Sequence, residues 1–398
     1  MLKVLPEVCR ELMLKNMETM KSPELSKSFS KDLTFYLLLT QACNGTCKFC
    51  YQPKEFRQPI HMSEKVVDDT VKFALSNFPE DQVKFCLFGG EPTVNWDLLK
   101  YILGTYPQMR FQITTNGLVI QESKEVRDFL RRHLYHLNIS LSLESLINKL
   151  GPDDFIGRTR EILDLLISSD AEIHMVLYDP KLQDWFLPLF KQLYDLGVPK
   201  IRTSIVRKHN FLGDRQSVID TFKAIADYVY FQDVPGFGRS SFDFCFTSNL
   251  LMKMLGEPMK DLPPTMCGCS HAYVAIDHLG DIYPCDWFAN FPEFKVGSIY
   301  SGFNDMVRVF YEANKWFETL YEDCRNCICT DDIRLCPKAM CLAENYQESG
   351  NPFKPTKLHC ETNRMELEVS EYILKKAIDR DLIKVFRRGA QNLRKVSR

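Results

Sequence analysis

The chain between residues 33 and 232 alternates between short apolar runs and longer segments in which apolar residues recur every three or four positions. The short runs predict six β-strands: LTFYLLLT (33–40), VKFCLF (83–88), FQITT (111–115), LNISLSL (137–143), EIHMVLY (172–178) and KIRTSIV (200–206). The segments between them have the period of a helix, as in the stretch that begins at Ser63, and another helix is predicted near 216–230. Strands alternating with helices form a parallel sheet with right-handed crossovers. The pattern therefore predicts an α/β fold, a partial (β/α)6 barrel resembling part of a TIM barrel, whose chemistry lies in the loops after the strands.

This alternation stops after residue 232 and does not extend before residue 33. The stretch DVPGFGRSS (233–241) has the Pro, Gly and Ser of a linker. Residues 245–362 are rich in cysteine and predict a small domain organised by metal clusters. The stretch 363–398 repeats apolar residues on one face and predicts a closing helix, and 1–32 predicts an N-terminal helical extension. The domains expected are therefore 1–32, 33–232, 245–362 and 363–398.

Charge and hydropathy narrow the class of partner. The 398 residues include 50 basic and 52 acidic side chains, a net charge of −2, so no global charge recruits nucleic acid or an anionic membrane. The N-terminal stripe is interrupted by charges, unlike the core of a signal peptide, and no apolar run reaches membrane-spanning length. We expect a cytoplasmic protein without a nucleic-acid or membrane partner.

Fifteen cysteines are many for this chain, and most of them are clustered. Three lie at 43–50, three at 267–285 and six at 324–360. In a reducing compartment, clustered cysteines indicate metal or iron–sulfur ligation rather than disulfides. The remaining three, Cys9, Cys86 and Cys245, have apolar neighbours and are expected to be small buried side chains.

The first cluster, CNGTCKFC, directly follows the first predicted strand. Cys43, Cys47 and Cys50 give three thiolates, with no fourth ligand nearby. A structural zinc site needs four ligands, whereas a 4Fe-4S cluster held by three cysteines leaves one iron open. A zinc loop remains the alternative on this motif alone.

Three further motifs follow the next three strands. GGEPT spans Gly89 to Thr93, TTNGL begins at Thr114, and SLSLES ends at Ser145. Together with C-x3-C-x2-C and the aromatic Phe49 before the last cysteine, they resemble the radical S-adenosylmethionine (radical SAM) enzymes.

The resemblance implies how S-adenosylmethionine is bound. Its amino and carboxylate groups would chelate the open iron, and the GGEP motif would receive the methionyl amino group. Adjacent glycines let backbone approach a ligand, and Glu91 has the charge that suits an ammonium. SLSLES would contact the ribose, although Glu144 stands where the family usually has Asp. The residues implied in cosubstrate binding are Phe49, Gly89, Gly90, Glu91, Pro92, Thr115, Asn116, Ser142 and Glu144.

The later cysteines resemble a SPASM domain, which binds two auxiliary 4Fe-4S clusters. Cys269, Gly280 and Cys285 match its C-x(9–15)-G-x4-C motif, whereas the spacing after Cys324 departs from the family pattern. By resemblance one cluster takes Cys269, Cys285 and Cys341, with Cys267 as fourth ligand and Cys245 or an open position as alternatives. The other cluster takes Cys324, Cys327, Cys336 and Cys360, unless Cys329 replaces Cys336. A zinc ribbon over 324–341 is the alternative.

Asp286 directly follows Cys285. In anaerobic sulfatase-maturating enzymes, an Asp at this motif position is the base that deprotonates the substrate radical, so Asp286 is the candidate catalytic residue. The alternative is a carboxylate that lies near a cluster without a role in proton transfer.

The resemblance implies an oxidoreductase that cleaves S-adenosylmethionine reductively and uses the 5'-deoxyadenosyl radical to abstract a hydrogen atom. An external donor such as flavodoxin or ferredoxin would supply the electron. Related enzymes modify peptides or proteins, forming thioether or carbon–carbon crosslinks or formylglycine. The alternatives are the same chemistry on a small molecule, or a non-catalytic iron–sulfur or zinc protein.

Overall fold

The computed structural model describes most of the predicted barrel and parts of the segments that follow it. The described residues are 29, 32–47, 49–52, 58–169, 171–177, 183–206, 214–231, 241–244, 268–304, 341–352 and 354–383. The predicted N-terminal extension falls almost wholly outside them. So do the cysteines Cys9, Cys245, Cys267, Cys324, Cys327, Cys329 and Cys336.

The described strands form one eleven-stranded sheet in the order β11-β10-β9-β8-β1-β2-β3-β4-β5-β6-β7. The strands are β1 Leu33–Thr40, β2 Val83–Gly89, β3 Phe111–Thr115, β4 Leu137–Ser142, β5 Glu172–Leu177, β6 Lys200–Ile205, β7 Ser241–Phe244, β8 Tyr273–Ile276, β9 Asp281–Tyr283, β10 Gly297–Ser298 and β11 Gly302–Phe303. Every pair from β8 through β1 to β7 is parallel, and β8 to β11 are antiparallel hairpins.

The predicted α/β fold with a parallel sheet is confirmed. All six predicted strands are present as β1 to β6, and their ends differ from the prediction by at most one residue. In β1 every second residue, beginning with Leu33 and Phe35, is buried in the core shared with the helices. Side chains of successive strand residues point to opposite faces, so the positions between them, such as Tyr36, face the concave side of the sheet.

Helices connect the parallel strands. They are α1 Glu64–Asn77, α2 Trp96–Thr105, α3 Leu118–Glu122, α4 Lys124–His133, α5 Glu144–Leu150, α6 Phe155–Arg158, α7 Arg160–Ile167, α8 Gln183–Asp195, α9 Arg215–Tyr230, α10 Leu342–Ser349 and α11 Lys357–Asp379. Ser63 and Ser123 begin α1 and α4 because their side chains accept hydrogen bonds from Val66 N and Val126 N. The helix predicted near 216–230 corresponds to α9.

Of the five strands that the pattern did not predict, β7 and β8 extend the parallel part of the sheet. The predicted linker 233–241 is wrong at its last residue, because Ser241 begins β7, which pairs with β6. β8 pairs with β1 over Thr34–Leu37, so the sheet continues into the cysteine-rich region. Both are four-residue strands, too short to show a period of two.

The closing helix begins earlier than the predicted residue 363. The side chain of Thr356 accepts a hydrogen bond from His359 N and so starts α11 at Lys357, which puts Cys360 in the first helical turn. The predicted apolar face is buried at Met365, Val369 and Ile373, and Ile378 at its edge is 58% exposed. Among the described residues, no helix is long and apolar enough to cross a membrane.

Candidate active site

The cysteine loop, residues 41–52, leaves the C-terminal end of β1 and lies directly on the GGEP segment after β2. Gly90 N donates to Thr40 O at 2.7 Å, and Glu91 N donates to Ala42 O at 2.9 Å. A Cβ at Gly89 would lie 2.3 Å from Thr40 O, and one at Gly90 would lie 2.2 Å from Ala42 O. The two glycines are therefore required for backbone to pack on backbone at this point.

Glu91 is held by donors from two neighbouring strand ends. Its Oε1 accepts hydrogen bonds from Thr93 N at 3.1 Å, Thr93 Oγ1 at 2.6 Å and Thr115 Oγ1 at 2.7 Å, and its Oε2 accepts from Asn116 N at 2.7 Å. Burial raises the pKa of Glu91, and these hydrogen bonds oppose the rise. The buried carboxyl group thus joins the segment after β2 to the segment after β3, and Pro92 begins a short buried turn beside it.

Asn116 connects the segment after β3 to the cysteine loop. Its Nδ2 donates to Asn44 Oδ1 at 2.9 Å and lies 3.9 Å from Cys43 Sγ. Its Oδ1 accepts from Leu118 N at 3.0 Å, which fixes the side chain in this orientation. Phe49, on the same loop, is half-buried and packs against the core.

Ser145 was not among the predicted site residues, although it ends the SLSLES motif. Its Oγ lies 3.2 Å from Cys47 Sγ, and a Cβ at Gly45 would come within 2.7 Å of the same Oγ. Ser142, which was predicted, is the half-buried last residue of β4. A serine in the first turn of a helix is too common to mark a contact with a distant loop, so sequence alone gave no signal.

Glu144 begins α5 and is almost fully buried. Its Oε1 accepts a hydrogen bond from Val176 N at 2.6 Å, whereas its Oε2 has no hydrogen-bond partner among the described residues. Burial raises the pKa of Glu144 to about 7. A buried carboxylate oxygen without a partner suits a ligand hydroxyl, as the resemblance implies for the ribose.

Asp286 contacts the cysteine loop, although the two are more than 200 residues apart in the sequence. Tyr51, the residue after Cys50, donates a short hydrogen bond to Asp286 Oδ2, and its ring stacks on Trp287 with centroids 4.7 Å apart. Burial raises the pKa of Asp286, and burial beside that carboxylate raises the pKa of Tyr51 well above its usual 10. The phenol is therefore the hydrogen-bond donor in this pair.

Cys269 and Cys285 are brought together by the β8–β9 hairpin. Ser270, the residue after Cys269, donates a hydrogen bond from its backbone N to Pro284 O at 3.1 Å, and this bond joins the two ends of the hairpin. Gly280 turns the hairpin with a φ of +84°. Both cysteines are buried, and Cys285 Sγ accepts from Phe288 N at 3.4 Å.

Cys341 and Cys360 lie at the starts of two helices, of which α10 contacts the segment after Cys285. Cys341 is the N-terminal cap of α10, and Cys360 lies in the first turn of α11. Tyr346 of α10 donates to Glu293 Oε1 at 2.6 Å, which holds α10 against the segment after Cys285. None of the eight cysteines in the described part of the chain is in a disulfide.

The donor chemistry of the cysteine loop fits an iron–sulfur cluster. Three thiols lie on one short loop beside a cradle of glycines and an unpaired buried carboxylate oxygen. In the ranges that the structure describes, no three His, Cys, Asp or Glu side chains are grouped so that they could hold a single metal ion. Each cysteine of a 4Fe-4S cube binds a different iron, so its thiolates stand farther apart than the ligands of one ion. Burial raises the pKa of Cys47 to about 11, so metal binding there has to displace a proton.

Comparison with known sequences finds a family model that matches part of the chain. The model of the Radical SAM superfamily matches residues 37–175. An uncharacterised protein of Archaeoglobus fulgidus is 24% identical over 343 residues, covering 82% of this chain and 78% of that protein. The radical SAM cyclopropyl synthase TigE of Paramaledivibacter caminithermalis is 26% identical over 133 residues, so the chain spans only 26% of TigE.

Solved structures share the fold over most of the chain. An anaerobic sulfatase-maturating enzyme, anSMEcpe with bound AdoMet, superposes with a TM-score of 0.63 at 18% identity, covering 87% of this chain and 98% of that one. SuiB of Streptococcus suis, bound to its precursor peptide SuiA, superposes with a TM-score of 0.59 at 18% identity, covering 83% of this chain and 76% of that one. The ends of β1 to β4, which carry the four motifs, lie within residues 37–175, the part of the chain that matches the model of the Radical SAM superfamily.

Proposed function

We propose that this chain is a radical SAM oxidoreductase that modifies a side chain of a peptide or protein. The observation that carries the proposal is the bond between Tyr51 and Asp286. Tyr51 directly follows the last cysteine of the first motif, and Asp286 directly follows Cys285 of the second. This contact between the two motifs supports Asp286 as the group that accepts the proton of a substrate radical formed near the first loop.

The residues at the ends of β1 to β4 have distinct roles in this proposal. Cys43, Cys47 and Cys50 hold the cluster, and the backbone of Gly89 and Gly90 lines the methionyl site. The unpaired Oε2 of Glu144 and the hydroxyl of Ser142 bind the ribose. Glu91 aligns the segments around the methionyl group, because it accepts four hydrogen bonds from the chain itself. Only one of them is to Oε2, so that oxygen retains a lone pair for the methionyl ammonium.

When bound and reduced by a flavodoxin or ferredoxin, the first cluster supplies the electron that splits S-adenosylmethionine and so starts hydrogen abstraction from the substrate. A substrate carbon that has lost a hydrogen atom must still lose one electron and one proton to become a closed-shell product. Asp286 takes the proton. Cys267, Cys269, Cys285 and Cys341, together with Cys324, Cys327, Cys336 and Cys360, are proposed to hold the two auxiliary clusters that accept the electron.

The choice of a peptide over a small molecule rests on the structural relatives. SuiB has been solved with a precursor peptide, and anSMEcpe is a sulfatase-maturating enzyme. Both share the fold over more than 80% of this chain. A reaction on a small molecule would use the same first site and is distinguished by the identity of the oxidised product.

The first experiment tests whether the chain cleaves S-adenosylmethionine. Anaerobically reconstituted, reduced protein is expected to release 5'-deoxyadenosine, measured by chromatography. Replacing Cys43, Cys47 and Cys50 together by Ala is expected to abolish that release. Cys86→Ala is the matched control, since Cys86 is a buried thiol within β2 and outside the motif. Equal release by the triple variant and the native protein would refute the proposal.

The second experiment tests Asp286. Asp286→Asn keeps the size of the side chain but cannot accept the proton, so deoxyadenosine should still form while modified peptide falls at least tenfold. For each candidate peptide, the amount of modified peptide is measured by mass spectrometry and compared with the amount of deoxyadenosine formed in the same reaction. Native yields of modified peptide in Asp286→Asn would mean that the base lies elsewhere.

A further inference from the structure

A buried polar link joins the beginnings of α10 and α11. His359 Nε2 lies 2.8 Å from Glu344 Oε2, and His359 Nδ1 lies 2.9 Å from Asn345 Oδ1. The three residues are at most 1% exposed. Buried polar side chains require hydrogen bonds, and each of these three bonds to another of them, whereas Glu344 Oε1 has no partner among the described residues.

The orientation of Asn345 fixes where the protons lie. Asn345 Nδ2 donates to Pro352 O at 3.0 Å, so its Oδ1 faces the ring and accepts from the Nδ1–H of His359. His359 Nε2 and Glu344 Oε2 then share a single proton. The pair has no net charge whichever atom holds that proton, which is why it can be fully buried.

The link lies between two cysteines that belong to different proposed clusters. Glu344 and Asn345 follow Cys341, the cap of α10, and His359 immediately precedes Cys360 in the first turn of α11. Cys341 is assigned with Cys269 and Cys285, whereas Cys360 is assigned with the cysteines of 324–336. The link thus connects the helix starts that carry one ligand of each cluster.

A second set of contacts fixes α10 to the hairpin of the first auxiliary cluster. Trp287 Nε1 donates to Gln347 Oε1 at 3.0 Å, and Tyr346 packs edge-on against Phe291 and Phe294. Movement of α10 is therefore limited relative to Cys285. The bonds of His359 to Glu344 and Asn345 connect this unit to the helix that carries Cys360.

We propose that Glu344, Asn345 and His359 form a strut that sets the spacing of Cys341 and Cys360, and thereby the transfer of an electron from one auxiliary cluster to the other. The strut rests on the proposed auxiliary clusters. Its residues are positioning residues, because they act through the cysteines beside them. A rigid, uncharged connection suits this task, since the separation of two redox centres has to stay constant while their charge changes.

The test measures metal content and cluster spectra of the full chain after anaerobic reconstitution. Native protein with three 4Fe-4S clusters holds about twelve irons per chain. His359→Ala is expected to lose about four irons, or to retain them with an altered electron paramagnetic resonance signal and midpoint potential of an auxiliary cluster. The signal of the first cluster and the rate of deoxyadenosine release should stay native.

Two further variants separate the strut from a general loss of packing. Glu344→Gln keeps a hydrogen bond, because its amide can donate to the neutral Nε2, and should restore the native iron content and spectra that Glu344→Ala loses. Ser370→Ala is the matched control: Ser370 is fully buried on the same helix and bonds only along it, to Glu366 O at 2.7 Å. It should leave the auxiliary signals unchanged.

The outcomes distinguish this inference from the function on which it rests. Native protein with about four irons refutes the auxiliary clusters and the strut together. Native protein with about twelve irons, and a His359→Ala variant with the same iron, spectra and potentials, refutes the strut alone. Identical losses in Glu344→Gln and Glu344→Ala would also refute it.

Discussion

Two buried glutamates, Glu91 after β2 and Glu144 after β4, show how individual residues divide the work of the site. Glu91 accepts four hydrogen bonds, whereas Glu144 accepts one from Val176 N and keeps Oε2 without a partner among the described residues. An unsatisfied buried carboxylate is costly unless a ligand completes its bonds. Glu91 therefore contributes to structure in the absence of cosubstrate, and in the proposed function Glu144 gains its partner when cosubstrate binds.

Glu144 makes a prediction for the pH dependence of stability. Its pKa is raised from 4.5 to about 7 by burial, so between these values the folded protein holds a proton that the unfolded chain releases. The free energy of unfolding should fall as pH rises through this window, by on the order of 3 kcal/mol at most. Glu144→Gln should remove that part of the pH dependence in urea unfolding of the apo-protein.

The control for this prediction is Glu125→Gln. Glu125 is exposed in the first turn of α4, and its replacement should leave the pH profile parallel to that of the native protein. A Glu144→Gln profile that also runs parallel to the native one would contradict the prediction, because it would show that Glu144 has the same pKa in the folded apo-protein as in the unfolded chain.

At the scale of elements, the site depends on the close approach of the cysteine loop to the end of β2. Gly90→Ala places a methyl group within 2.2 Å of Ala42 O, so the loop has to move. The expected loss of stability is about 1–3 kcal/mol. Gly104→Ala in α2 is the control: a Cβ there meets nothing within 4 Å, and helix propensity predicts a gain of roughly 0.5–1 kcal/mol.

These two variants are compared by anaerobic chemical denaturation and by iron uptake. Gly90→Ala should bind less iron at the first motif because Cys43, one of its three thiols, follows Ala42 directly. Native stability and iron content in Gly90→Ala would show that the loop approaches β2 less closely than these distances indicate.

The sequence patterns predicted the strands and helices more accurately than they predicted the contacts between these elements. The strands β1 to β6 are long enough for their apolar alternation to be recognised, and serine caps mark the starts of α1 and α4. The run YVAI of β8 is too short for that, and its pairing with β1 joins residues more than 200 positions apart. Ser145 and Tyr51 were missed for the same reason, since each is defined by a distant partner, Cys47 in one case and Asp286 in the other.

The long-range contact between Tyr51 and Asp286 can be tested by removing the tyrosine hydroxyl. Tyr51→Phe keeps the stacking on Trp287 but removes the hydrogen bond to Asp286. We expect a loss of about 1–3 kcal/mol in stability, because a buried carboxylate loses its donor. The ratio of modified peptide to deoxyadenosine should fall as well, because the position of Asp286 is no longer fixed. An unchanged ratio by mass spectrometry would show that the tyrosine serves packing only.

At the scale of the whole molecule, one continuous sheet connects the barrel to the cysteine-rich region. β1 lies in the middle of that sheet, with β2 on one side and β8 on the other. Phe29, before β1, packs edge-on against Phe78 at the end of α1 and also contacts Phe303 of β11. The predicted boundary between 33–232 and 245–362 thus crosses a region in which both parts share backbone hydrogen bonds and a core.

A truncation tests how far the two parts depend on each other. A chain that ends at residue 232 loses β8 beside Thr34–Leu37 and β7 beside Lys200–Thr203, so both sides of its remaining six-stranded sheet become open edges. Unpaired, largely apolar edges promote association between chains, and we expect the truncated protein to aggregate or to form soluble oligomers.

The full apo-chain should unfold in one cooperative transition, followed by both far-ultraviolet and near-ultraviolet circular dichroism. Light scattering and size-exclusion chromatography decide the matter, with the full chain under the same reducing conditions as the control. A monomeric truncation with a native-like spectrum and its own sharp transition would contradict this expectation and would make residues 33–232 an independent domain that carries the first cysteine loop by itself.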